Sequence, residues 1–118
     1  MNTLPRYEDA VIPLEKFTLY CLDPEGDQNK ATAFNDALGY NKSNANKLIS
    51  NIRHNLPNYP AIPRDDLGHG MRYEVNMLLT GPSGKTANVL TAWIDDKDTG
   101  EMRLTSAYVN RKRDGLLC

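Results

Sequence analysis

The apolar residues of this chain change their spacing once, and that change constrains the fold more than any other feature. Ala45, Leu48, Ile49, Ile52 and Leu56 stand at i, i+3, i+4, i+7 and i+11, which is one stripe along a helix. From Met71 to Leu79 the pattern is different. Met71, Tyr73, Val75, Met77 and Leu79 alternate with Arg72, Glu74, Asn76 and Leu78, the period of a strand with one apolar face. A helical half therefore precedes a sheet half. The whole chain has 118 residues, so neither half can bury a core alone and each must cover the other. The expectation is a single α+β domain over residues 10–109, with N-terminal helices packed on a C-terminal antiparallel β-meander.

Punctuation along the chain supports this division. Met1 to Ile12 reads as an extended lead-in. Pro13 suits the first turn of a short helix running to about Leu22, with Leu14, Phe17 and Cys21 inward. Asp23 to Asp27 is a turn cluster. A second helix is expected from about Asn29 to Leu38, with Ala33, Phe34, Ala37 and Leu38 as its apolar face and Gly39 as its C′ residue. Asn41 or Ser43 can cap the third helix, and Pro57 stops it. The span from Pro57 to Gly70 reads as a connector. Three strands follow, Met71–Leu79, Thr86–Ile94 and Met102–Val109, joined by short reversals that require antiparallel pairing. Residues 110–118, with Arg111, Lys112 and Arg113, are expected as a basic tail that frays.

The net charge of −1 excludes a whole-surface attraction to nucleic acid, so any such site must be a local basic patch. The two cysteines, Cys21 and Cys118, read as free thiols of a reducing compartment. Met1 to Glu8 has no basic start followed by an apolar stretch, so it is not expected to be a secretory signal, and no apolar run reaches the ~20 residues of a membrane span. A cytoplasmic site of action without membrane attachment is expected, which leaves room for secreted delivery within a larger system. No CxxC, HExxH or carboxylate cluster with metal spacing is present, so neither a metal nor a cofactor is expected. Gly81-Pro82-Ser83-Gly84-Lys85-Thr86 contains Gly-Lys-Thr but not the spacing of a phosphate loop, and it reads as a hairpin turn.

A few residues could carry chemistry. His69, between Gly68 and Gly70, reads either as a plain surface residue or as a loop acid–base group near neutral pH. His54 reads as a solvated residue at a helix end. Lys16 and Lys30 fall at helix starts, against the dipole preference, which reads either as a mild departure without consequence or as two amines facing a site that needs positive charge. Trp93 reads as core packing. Arg103 and Thr105 share one face of the last strand, with Tyr108 on the other face unless a bulge intervenes.

The motifs form an ordered set. Val11-Ile12-Pro13-Leu14-Glu15-Lys16, Tyr20-Cys21-Leu22-Asp23-Pro24, Lys30-Ala31, Phe34 and Leu38-Gly39-Tyr40 make the first block. Thr80 to Ala87, Trp93-Ile94 and Leu104-Thr105-Ser106-Ala107-Tyr108 make the second. Together they resemble a bacterial domain family of unknown function found in toxin-like proteins. That family is similar in layout to the ribonuclease superfamily of barnase, the EndoU nucleases, colicin D and E5, and the RelE toxins. The resemblance implies metal-independent cleavage of RNA, tRNA among the candidates, by 2′-hydroxyl attack. It implies His69, Lys30, Thr105 and Tyr108 as catalytic, and Lys16, Arg103 and Trp93 as substrate-binding. An immunity-type protein partner is a corollary. The neutral charge and the lack of a paired acid and base close in sequence motivate an alternative: a non-catalytic inhibitor or adaptor from a phage or mobile element, docking on protein.

Overall fold

The computed structural model describes residues 2–110 as an α+β fold in which a π-helical turn and two α-helices pack on a four-stranded antiparallel sheet. The expected basic tail lies outside the described residues, except for Asn110. The strands are β1 (Ile62–Asp66), β2 (Met71–Thr80), β3 (Thr86–Asp95) and β4 (Met102–Val109), hydrogen-bonded in that order. The meander of the last three strands is as the sequence pattern requires. The Gly81–Lys85 segment is a hairpin turn, with the Gly81 N–H donating to the Lys85 carbonyl at 3.0 Å.

β1 corrects the reading of Pro57–Gly70 as a plain connector. All five of its residues are exposed, so it has no apolar alternation to betray it. Backbone pairing to β2 defines it, with Ile62 opposite Glu74 and Pro63 opposite Tyr73, and the ion pairs Arg64–Glu74 and Asp65–Arg72 cross the same two strands. As an edge strand it tolerates a proline that donates nothing to the ladder.

Helix α1 (Gln28–Leu38) begins at Asp27, whose carboxylate accepts the Lys30 N–H at 3.1 Å. It ends at Gly39, which takes the left-handed conformation at φ 86° that other residues adopt only with strain. Its buried residues are Ala31, Phe34 and Leu38. Ala33 and Ala37, expected on the core face, are only half-buried on the adjoining flank. Asn41 and Asn44 form a reciprocal capping box ahead of α2 (Ala45–Asn55). α2 buries Ala45, Leu48 and Ile52, while Ile49 sits at the margin. A 3-10 turn containing Pro57 ends the block.

The first expected helix is a π-helical turn, Phe17–Cys21. The Leu22 N–H donates to the Phe17 carbonyl five residues back at 2.8 Å. This wider turn points Phe17, Cys21 and Leu22 inward and leaves Leu14 exposed, contrary to the helical reading. The lead-in also belongs to the fold. Leu4 is buried, and Val11 bridges β4 through its N–H to the Met102 carbonyl and its carbonyl to the Leu104 N–H.

One core lies between the helices and the inner face of the sheet. Its largest side chain is Trp93, whose indole N–H donates to the Thr91 hydroxyl at 2.8 Å. Thr91 in turn donates to the Val75 carbonyl at 2.8 Å, so this buried polar pair is satisfied. The outer face of the sheet is open and exposes Ile62 and Leu78.

Candidate functional site

The register of β4 slips once. Ala92 pairs with Ser106 but Trp93 pairs with Leu104, so Thr105 is the extra residue of a bulge. Beyond the bulge the alternation is reset: Ala107 and Val109 turn inward, and Tyr108 returns to the outer side with Arg103. The bulged stretch lies beside the N-terminus of α1. There a cleft of about 250 Å³ opens, lined by Lys16, Tyr20, Cys21, Gly26, Asp27, Lys30, Thr105 and Ser106.

Three local structures position these side chains. The π-helical turn presents Tyr20 on the cleft side, with the Lys16 ammonium 6.0 Å from the centre of its ring. Gly26 packs so tightly on the Leu19 carbonyl that a Cβ there would collide with backbone. That close approach sets Asp27 beside the cleft, and the Asp27 cap places Lys30 in the first turn of α1. The Lys30 ammonium then reaches β4. It donates to the Ser106 hydroxyl at 2.8 Å, stands 3.9 Å from the Asp27 carboxylate and lies 5.8 Å from the centre of the Tyr108 ring.

The hydroxyls differ in what they can offer. Thr105 donates to the Ala92 carbonyl at 3.1 Å, which commits its hydrogen and leaves it an acceptor. It suits a hydroxyl donor, not a phosphate oxygen. Ser106 receives its bond from Lys30, so its own hydrogen is free to be donated. Cys21 forms part of the floor. Burial pushes its thiol pKa up, while the Ala107 N–H, Lys30 and Lys16 pull it partly back and Asp27 adds to the rise. The net result is a neutral thiol, not a nucleophile.

Of the residues singled out in the sequence, Lys16, Lys30 and Thr105 line this cleft, and Tyr108 flanks it beyond Lys30. The two lysines placed against their helix dipoles do face one site. Three others stand elsewhere. His69 occupies the β1–β2 turn, its carbonyl accepting the Lys97 N–H at 3.1 Å. His69 is not among the residues lining the cleft, and β3 lies between its neighbour β2 and the β4 residues that do line it. Trp93 is sealed in the core by its bond to Thr91, which rules out stacking on a ligand. Arg103 lies on the outer face and pairs with Glu101 at 3.1 Å, away from the cleft lining.

Tyr20, Asp27 and Ser106 were not singled out. The Asp27 cap was legible in principle, because an Asp before a helical stretch with a residue bonded three positions on is a common start. Ser106 was not, since no local pattern announces the bulge. Among the described residues no group of three or more His, Cys, Asp or Glu could hold a metal ion, and no helix is long and apolar enough to cross a membrane.

Residues 3–111 match DUF6883, a domain of unknown function, and the chain belongs to that family. Comparison with curated proteins and with solved structures returns no match.

Proposed function

We propose that the cleft between the π-helical turn, the start of α1 and the β4 bulge binds a phosphodiester, and that the protein is a metal-independent ribonuclease of the toxin type. The observation that carries this reading is the convergence of two amines, Lys16 and Lys30, with the free hydroxyl of Ser106 on one small cleft. Two cations and a donor at one point match the charge that develops on a phosphorane. The net charge of −1 is no obstacle, because the positive charge is local.

In this reading the 2′-hydroxyl of the substrate attacks the adjacent phosphorus. The Asp27 carboxylate takes the hydroxyl proton. The P–O5′ bond breaks, and the Lys30 ammonium donates a proton to the leaving oxygen. A 2′,3′-cyclic phosphate forms, and a proton passed from Asp27 back to Lys30 across their 3.9 Å separation resets the pair. Lys16 holds the non-bridging oxygens throughout. The similarity in layout to the barnase, EndoU, colicin and RelE group belongs to this proposal too: helices before an antiparallel sheet, with the site at the β4 bulge.

The test is incubation of the purified chain with total tRNA in EDTA, with product ends mapped. Cyclic phosphate ends are expected, and Lys30→Met should lower the rate by about 10²–10³-fold. Intact tRNA at high protein concentration rejects the enzyme reading. A single stoichiometric protein partner recovered without cleavage would replace it with the docking alternative.

A further inference from the structure

A second depression lies on the far side of Lys30. It measures about 360 Å³ and is lined by Asn29, Lys30 and Ala33 of α1 and by Tyr108 and Val109 of β4. Lys30 is common to this groove and to the cleft. The groove differs in chemistry from its neighbour. Its walls are almost wholly apolar, with Ala33, Val109 and Tyr108 lining it, while the Lys30 ammonium is bonded to Ser106 in the neighbouring cleft.

We infer that this groove is a nucleobase subsite, continuous with the phosphate cleft through Lys30; the inference rests on the phosphodiester reading of that cleft. The occupant must be anionic where Lys30 stands and flat and apolar beyond it. A nucleotide has that division, with its phosphate in the cleft and its base between Ala33 and Tyr108. Tyr108 is 39% exposed for an aromatic side chain, because the bulge turns it outward at the strand edge. At 5.8 Å the Lys30 ammonium is near the outer limit of a cation–π contact, so it does not close off the ring. An aromatic face accepts any base by stacking. Tyr108 thus acts through its ring rather than as the phosphate-binding hydroxyl that the sequence suggested.

The experiment is a titration of the isotopically labelled chain, followed by amide NMR, with inorganic phosphate, ribose 5-phosphate, and adenosine and uridine 3′-monophosphates. All four should shift the Lys16, Lys30 and Ser106 amides. Only the nucleotides should also shift Asn29, Ala33 and Val109, and they should bind about tenfold tighter than ribose phosphate. Tyr108→Ala should remove that tenfold while leaving phosphate affinity unchanged, and Tyr108→Phe should retain it. Equal binding of ribose phosphate and nucleotides overturns the subsite and leaves the cleft standing. Loss of the nucleotide advantage in Tyr108→Phe does the same, because it assigns the effect to the hydroxyl. Absence of binding by all four overturns the subsite together with the reading beneath it.

Discussion

Thr91 and Trp93 show what a single buried polar group does in this molecule. The threonine hydroxyl takes the indole N–H and passes its own hydrogen to the Val75 carbonyl. Thr91→Val keeps the shape and removes both bonds. An indole N–H left unpaired in the core costs about 1–3 kcal/mol. Denaturant unfolding followed by Trp93 fluorescence should show that loss with an unchanged slope. Cys21 makes a complementary point. Burial raises its pKa above the ordinary thiol value, so at neutral pH it stays protonated and enclosed. Its labelling by a thiol reagent should be slow in the native state and fast once the chain is unfolded. Fast native labelling would mean that the cleft floor opens.

At the scale of elements, turns decide where the side chains go. Gly26 meets the Leu19 carbonyl without room for a Cβ. Gly26→Ala must push the turn and the start of α1 away from β4, at a cost of about 1–3 kcal/mol. The expected signature is a joint loss of stability and of phosphate binding, read by thermal melting and NMR titration. The β1–β2 turn works by charge. Asp66 accepts the Gly68 and Gly70 N–H groups, and those two bonds hold its carboxyl below the usual carboxylate range. A depressed folded pKa means that the contribution is present above the unfolded value of about 3.9 and is lost as pH falls through the lower folded value. The protection of the Gly68 and Gly70 amides, measured relative to their intrinsic exchange rates, should therefore fall only in acid below that range. Loss of protection near neutral pH would show that the carboxylate is not the anchor.

For the molecule as a whole, charge and core lead to separate expectations. On the proposed phosphodiester reading, RNA binding should rest on the two cleft lysines, since the net charge is −1. Two phosphate contacts on a single strand give a slope of about −1.4 in log affinity against log salt. A much steeper slope would point to a wider basic surface. The helices and the sheet share one core, with Phe34 of α1 fully buried within it. Phe34→Ala should cost about 3–5 kcal/mol. Helix and sheet signals should still melt together, because neither half has a core of its own.

The α+β division, the meander, α2, the Gly39 stop and the extent of β4 could all be read from the sequence. Each depends on local spacing or on one residue's backbone preference, and the chain carries those wherever it goes. β1 could not be read, because its residues are all exposed and its pairing with β2 is made by the backbone ladder and the exposed ion pairs Arg64–Glu74 and Asp65–Arg72, none of which shows in an apolar pattern. The π-helical turn was hidden because it spaces Phe17 and Cys21 as an ordinary helix does. The lysines at helix starts pointed to a shared location, and both line one cleft, yet nothing local could say which hydroxyls would meet them. That was settled by the bulge at Thr105, which sends Tyr108 outward and brings Ser106 to Lys30. Register between strands is a long-range property, fixed by how the two faces of the sheet pack, and only the folded chain expresses it.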